Sequence, residues 1–501
     1  MSTLKERLGR LKKTADGAAA AQTASSGDAR AEEAQIERLG ASWERLEAQM
    51  HFNDWGQFII RRRRYPLHYA HGTYRLGELC GEAEPLSVLA ETGGKRTGRK
   101  GRALAGETEA GTGGRLSCVS VHHSRLLFLD TETTGLGVGA GNVPFMIGIG
   151  FYDGDGFVVE QLFIRNPAEE ASMLHHLRER MAERDMLVSY NGKCFDWPIL
   201  KNRYILNRQK EHAADPVHFD FLYPSRSLWR NTLPSCRLSS VERERLGLRR
   251  TDDVPGSLAP ALYFQYLAEG DPALLAGVFE HNEKDVLTLA CLAAHFAKLL
   301  RGDMPLARLE EEELFRLALW LDKLGRADGA EEALRELLGR EAERTADYWL
   351  PAAEFYKRQG RFAPAVSLWE RAIERKRRSR IASLAPYVEL AMYYEHRDKN
   401  YERALSYAEE ALERARGRLS AARLDGAAGE ELEAIRKRVD RLRAKRDAAA
   451  RKEPAARAAA APIAGKRAGR RQTAGVWQEL LPIEGADGEA TNEPKRRMES
   501  R

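Results

Sequence analysis

Two carboxylates, Asp130 and Glu132, stand one residue apart in LLFLDTETTGLG at 126–137. The apolar run at 126–129 reads as a fully buried strand. Side chains alternate along a strand, so the two acids point the same way at its end. Such a pair repels unless a cation sits between them, and oxygen donors suit a hard divalent metal. A DxE triplet alone recurs by chance in a chain of 501 residues. Gly135 lets the backbone turn sharply, and Leu136 offers an apolar tip nearby. A further carboxylate, Asp196, stands in LVSYNGKCFDWPIL at 187–200, where a strand at 186–190 is stopped by Asn191-Gly192 and a helix follows. Alone, Asp196 reads better as a helix N-terminal charge than as a ligand. A third place is VFEHNEKDVLTLACL at 278–292, with His281 and Asp285 four apart on one helix face. Alone, that pair reads as a hydrogen-bonded ring at a core margin.

These side chains need elements to position them. Apolar runs at 146–152 and 157–164 flank Asp153-Gly154-Asp155-Gly156, which predicts a hairpin. Asn166, Pro167 and Glu169 form a helix start with a capping box. Helical patterns follow near 194–208, 258–268 and 272–300. A hairpin followed by alternating helices and strands predicts a mixed-sheet α/β domain over 116–300. Ahead of it, 1–50 reads as helical, and 51–115 as a basic segment docking on the main domain followed by a Gly-rich flexible loop.

Residues 305–415 turn all-helical. Three segments align there, with Ala330, Ala365 and Ala404 at one register, spaced 35 and 39 apart. That spacing is close to the 34-residue tetratricopeptide period, with an ordinary helical bundle as the other reading. Either way the repeats offer a face for a protein partner. A charged helix is predicted at 416–450 and a disordered tail at 451–501, holding an apolar island at 476–481 that is either a docking motif or chance.

Composition narrows the field. No apolar run is long enough to span a membrane, and MSTLKERLGRLKK lacks the apolar centre of a secretion signal. Cys80, Cys118, Cys194, Cys236 and Cys291 form no CxxC pair, which argues against a disulfide framework or a cysteine-built zinc site. A cytoplasmic chain with reduced thiols is expected. The net charge of +6 names no partner, so a nucleic-acid case rests on local basic clusters. These are Arg61, Arg62, Arg63 and Arg64; Lys95, Arg96, Arg99, Lys100 and Arg102; and Arg375, Lys376, Arg377, Arg378 and Arg380. Each is either a phosphate track or a solvated charge run, the latter favoured for the third. The pairs His122-His123 and His175-His176 have no ligand-like spacing. No GxxxxGK[ST] loop occurs, and GLGVGAG at 135–141 opens no helical pattern, so a nucleotide-binding loop is poorly supported.

In combination, DTETTGL, NGKxFDxP and HNxxDVLTL resemble the motifs of the DEDD exonucleases of the ribonuclease-H-like fold. The stretch 235–267 is similar to the YprB-type ribonuclease-H-like domain, often followed by tetratricopeptide repeats. The resemblance covers about 50–300 and, more loosely, the repeats to 415. It implies a ribonuclease-H-like domain in which Asp130, Glu132, Asp196 and Asp285 hold two Mg²⁺ or Mn²⁺ ions. One ion activates the attacking water and the other stabilises the leaving oxygen. His281 would orient or deprotonate that water, with Thr133, Leu136 and Asn191 near the terminal nucleotide. Arg237 would contact phosphate, or pair with Glu242 instead. Ser235, Asp253 and Gly256 match the family-like middle segment without an assigned chemistry, and Asp215 and Asp220 are taken as non-catalytic. One departure stands out. The main subclasses place a Tyr four residues before the last Asp or a His five before it, whereas this chain has a His at four. The expected function is metal-dependent 3′–5′ hydrolysis of single-stranded DNA or RNA. The alternatives are structure-selective endonuclease cleavage and a catalytically idle nucleic-acid-binding or scaffold protein acting through its repeats.

Overall fold

The computed structural model describes residues 43–91, 119–135, 137, 141–209, 215–251, 253–375, 383–419 and 426–459. Contacts divide the chain into two compact units, Met1–Ser379 and Arg380–Arg501.

The first unit is built on a seven-stranded sheet. Its strands are β1 (Ala48–Asn53), β2 (Gly56–Pro66), β5 (Leu126–Thr133), β6 (Pro144–Asp153), β7 (Gly156–Phe163), β8 (Met186–Ser189) and β9 (Val217–Asp220). The two-residue strands β3 (Ala70–His71) and β4 (Tyr74–Arg75) pair separately. The sheet order is β1-β2-β7-β6-β5-β8-β9. Pairing is antiparallel from β1 to β5 and parallel from β5 through β8 to β9. The main helices are α1 (Glu170–Glu183), α2 (Asp196–Leu206), α3 (Leu222–Trp229), α4 (Ala259–Glu269) and α5 (Ala276–Arg301). This is the mixed-sheet α/β architecture expected from the sequence.

Strand β5 is buried on both faces, with Leu126, Leu127, Phe128 and Leu129 all at most 1% exposed. Only a continuous apolar run satisfies such a position. The core beside it is aromatic: Phe145 stacks on Tyr263 of α4 with ring centroids 4.2 Å apart. Full burial of each such ring contributes roughly 1.5–3 kcal/mol.

Three expectations change. Residues 48–50 belong to β1 rather than to an N-terminal helix, while 1–42 lie outside the described residues. The basic segment expected to dock on the domain is part of its sheet, with β2 pairing to β7 along its length. Its four arginines are all paired with acids, and only Arg61 is buried. Arg61 is 4% exposed and meets Glu283 at 2.9 Å, and Arg62 lies opposite Glu160 in register and bonds it at 2.8 Å. Arg63 bonds Glu47 at 2.7 Å, and Arg64 bonds Asp155 at 2.8 Å. Acids distant in sequence turn the run into strand. Thirdly, the helix start at Asn166 is tighter than expected. Asn166 accepts from the Ala168 amide at 3.0 Å, but Glu169 accepts from the Arg165 amide at 2.8 Å, one residue early. A 3₁₀ turn at Pro167–Glu169 shifts that register.

Beyond the sheet, the aligned segments form helix pairs: α6 (Glu311–Lys323) with α7 (Ala327–Gly339), and α8 (Ala342–Arg358) with α9 (Phe362–Arg375). In the second unit α10 (Ala385–Tyr393) packs on α11 (Tyr401–Leu419), and α11 on α12 (Gly426–Ala459). Ala330, Ala365 and Ala404 are all at most 1% exposed. A small residue there lets paired helices approach closely. The charged helix expected at 416–450 is divided between the end of α11 and α12. Residues 451–459 continue α12 where an unstructured tail was expected; alanine-rich chain propagates helix readily. Residues 460–501, the island at 476–481 among them, lie outside the described residues, as do 92–118 with their basic cluster and Cys118, and 376–382 of the third cluster. Arg375 of that cluster pairs with Glu343 at 3.3 Å. Cys80, Cys194, Cys236 and Cys291 are free thiols. No described helix is long and apolar enough to cross a membrane.

Candidate active site

Three elements bring acidic side chains together. Asp130 and Glu132 sit at the end of β5, where a bulge between Glu132 and Thr133 interrupts the ladder to β6. Asp196 is the first residue of α2, which follows β8. Because β8 runs parallel to β5 (Phe128 opposite Val188), both strands deliver their C-terminal ends to the same edge. Helix α5 crosses that sheet and carries His281, Asn282 and Asp285.

Asn282 is fully buried, and its Nδ2 donates to Asp130 Oδ2 at 2.9 Å. Gln161 Nε2 in turn donates to Asn282 Oδ1 at 2.9 Å, which fixes the amide's orientation. Gly148, opposite Asp130 on β6, makes the room: a Cβ there would lie 2.2 Å from Asn282 Oδ1. Thr131 donates its hydroxyl to Asp196. Each of these two acids therefore has one oxygen anchored.

The acids perturb one another. Burial and the charges of Asp285, Glu132 and Asp196 push Asp130 well above the ordinary carboxylate range. Burial, then Asp285 and Asp196, push Glu132 up to about 8. Asp196 is pushed up to about 6 by burial, although the Thr131 hydroxyl opposes the shift. Each shift says the same thing: the negative forms lack enough positive charge nearby.

Some of that charge comes from Arg250. Its guanidinium bonds Asp285 and Glu242 and meets Asp253 Oδ2 at 3.1 Å. His281 stands between two acids, with Nδ1 at 2.8 Å from Asp253 Oδ2 and Nε2 at 3.6 Å from Asp285 Oδ2. His281 and Arg250 hold Asp253 below its usual value, against the opposing effect of burial. Gly256 leaves space for the ring; a Cβ there would lie 3.2 Å from His281 Nε2. Asp253 thus acquires a role that its place in the sequence does not announce. Asn282 likewise gives no sequence signal beyond its place between His281 and Asp285.

The other expected residues divide. Thr133 is buried and its hydroxyl donates to the Gly135 carbonyl at 2.7 Å, a local closure of the turn. Leu136 lies outside the described residues. Asn191 adopts a left-handed backbone (φ 69°), and its amide donates to Asp220 Oδ1 at 2.7 Å. Asp220 also accepts from the Lys193 amide at 3.0 Å, so it holds the turn before Asp196. Asp215 accepts from Trp197 Nε1 at 2.9 Å. Arg237 is exposed and does not pair with Glu242, which Arg250 and Thr288 engage instead. His176 meets Glu160 at 3.0 Å, a structural contact.

The donor chemistry fits Mg²⁺ or Mn²⁺: four carboxylates, oxygen donors only, two on β5, one at the start of α2 and one on α5. Two further buried carboxylate oxygens, Asp253 Oδ1 and Glu242 Oε2, have no hydrogen-bond partner. Among the described residues no three His, Cys, Asp or Glu groups already converge on one ion-sized point, and a guanidinium covers Asp285.

A family model described as the RNase_H superfamily matches residues 127–297, the span from β5 through most of α5. The chain is 35% identical over 357 residues to a Bacillus subtilis (strain 168) protein named uncharacterized protein YprB, covering 71% of this chain and 80% of that one. Among solved structures, a family B DNA polymerase from the hyperthermophilic archaeon Pyrobaculum calidifontis aligns at a TM-score of 0.28 and 15% identity. That alignment spans 40% of this chain and 29% of the polymerase.

Proposed function

The chain belongs to the YprB family of the RNase_H superfamily, and from that premise we propose that it is a metal-dependent nuclease. Within that class the reading is a 3′–5′ exonuclease acting on single-stranded DNA or RNA. One observation carries it. Acids from three separate chain segments gather at the C-terminal ends of β5 and β8, where burial and then neighbouring acids raise the proton affinity of Asp130 and Glu132. A stable fold seldom keeps uncompensated buried acids without a use for them.

A bound pair of Mg²⁺ or Mn²⁺ ions would make a water acidic enough to lose its proton near neutral pH and would offset charge on the departing oxygen. Asp130, Glu132, Asp196 and Asp285 are the residues to hold them. Asn282 and Thr131 keep Asp130 and Asp196 from turning away. Asp253 holds Nδ1 of His281 and turns Nε2 toward Asp285, which supports a role for this histidine in positioning the attacking water despite its unusual offset. Thr133, Leu136 and Asn191 would border the terminal nucleotide, and exposed Arg237 would meet a phosphate. The helix pairs, read as tetratricopeptide-like, would seat a protein partner, and the compartment would be the cytoplasm.

A second reading, a catalytically idle binding or scaffold protein, draws support from the Arg250–Asp285 ion pair, since a resident guanidinium can take the place of a metal. The deciding experiment follows 5′-labelled single-stranded DNA and RNA with Mn²⁺, Mg²⁺ or EDTA, beside Asp130→Ala/Glu132→Ala. A metal-dependent ladder shrinking from the 3′ end, absent in the double variant, supports the exonuclease. Internal cuts on end-blocked substrate indicate an endonuclease. No cleavage and no metal binding favours the scaffold.

A further inference from the structure

Arg250 also lines a cavity of about 360 Å³, bounded by β2, the segment 248–251 and α5. Its size is that of a small-ligand site, roughly 300–1,000 Å³. Its walls carry Arg63, Tyr65, Tyr69, Arg249, Arg250 and Lys284.

The acids in the wall are largely spoken for. Glu283 is bonded by Arg61, Arg63 and Tyr65. Glu280 is 61% exposed and stands 3.9 Å from Lys284 Nζ. Arg249, by contrast, is exposed and has no hydrogen bond or ion pair among the described residues. Among the described residues the cavity therefore holds one unpaired cation, Arg249, beside Lys284, whose only acidic neighbour is the exposed Glu280. It also holds a ring platform: Tyr69 is 37% exposed, with its centroid 4.7 Å from that of Tyr65. Cations beside an open aromatic face recognise a phosphate joined to a flat ring, which is a nucleotide.

We propose that this cavity is a second nucleotide-binding site, separate from the carboxylate edge, in which Arg249 and Lys284 hold a phosphate and Tyr69 stacks the base. The ligand is either a free nucleoside monophosphate or one unit of a bound strand. The site is wired to the carboxylates, because Arg250 lines the cavity and also bonds Asp285. A phosphate in the cavity competes for that guanidinium and frees Asp285 toward a cation. By linkage, nucleotide and divalent metal then strengthen each other's binding. This coupling rests on the proposed metal role of Asp285; the nucleotide site itself does not.

The test uses the full chain. Calorimetric binding of AMP and of a 5′-phosphorylated oligothymidylate is measured in EDTA, so hydrolysis plays no part. Arg249→Ala/Lys284→Ala removes two charge-assisted contacts and is expected to weaken binding roughly 100-fold. Tyr69→Ala is expected to weaken it about 10-fold. Lys201→Ala, at a lysine paired with Asp215 elsewhere, leaves it unchanged. Binding of AMP marks a free-nucleotide site, and binding of the oligonucleotide alone marks a strand site. Failure of both to bind, or binding indifferent to the double variant, overturns the proposal. For the coupling, Mn²⁺ affinity read by electron paramagnetic resonance rises several-fold with saturating ligand in the wild type and not in the double variant. An unchanged Mn²⁺ affinity overturns the coupling. Absence of nuclease activity leaves the binding result standing, so the two readings fail separately.

Discussion

Replacing Glu132 by Gln keeps the side chain's shape and removes its charge. In the metal-free protein burial and neighbouring acids raise this carboxyl from 4.5 to about 8. Below pH 4.5 the group is protonated in folded and unfolded chains alike, so it imposes no penalty. Between 4.5 and about 8 the unfolded chain releases the proton and the folded chain keeps it. Stability falls across that window by about 1.4 kcal/mol per pH unit, or about 4–5 kcal/mol in all. Asp196, raised to about 6, adds a second decline over the lower part of the window. Glu132→Gln lacks the first term. In EDTA its stability should match the wild type near pH 4.5 and exceed it by several kcal/mol near pH 8. Urea unfolding followed by tryptophan fluorescence at steps across this range measures the slope. Added Mg²⁺ binds the ionised acids, so it should stabilise the wild type more at the alkaline end than at the acid end, and the variant less at both. Parallel pH slopes for the two proteins, or a variant less stable near pH 8, would refute the account of the acidic cluster.

Three other outcomes follow from the same contacts. Asp253→Asn should lower kcat of metal-dependent cleavage by about 10²-fold with KM little changed, because an amide no longer holds His281 Nδ1 as a carboxylate does; steady-state kinetics on labelled oligonucleotide measures both. Arg61→Ala leaves Glu283 buried without its main partner and should cost about 3–5 kcal/mol in urea unfolding, whereas removing Arg64 from its exposed pair with Asp155 should leave the unfolding midpoint nearly unchanged. Ala365→Leu forces extra volume between α8 and α9 at a fully buried position and should lower stability by about 1–3 kcal/mol, read by the same unfolding curves.

How far the sequence reaches differs from one element to the next. Strand β5 was legible because four consecutive apolar residues admit few other readings, and the alternation after them puts Asp130 and Glu132 on one side. The β6–β7 hairpin was legible from its Asp-Gly-Asp-Gly turn, and His281 and Asp285 from helical spacing. Strand β2 was not, because FIIRRRRYP carries a charge run that reads as surface. Its arginines enter the sheet only because Glu160 and Glu283, about 100 and 220 residues away, are there to receive them.

The site shows the same division. Its carboxylates and histidine carry little signal one motif at a time, and only the order of the three motifs, taken as a resemblance, singled them out. Arg250 bonded to Asp285, Asp253 behind His281, and Asn282 clamped on Asp130 through the gap at Gly148 are decided by packing. A hydrogen bond or ion pair between residues 28 to 152 apart leaves no periodic trace in sequence, because it depends on which elements meet. Local propensity determines the elements and the acids they carry; the tertiary fold decides which charges face one another.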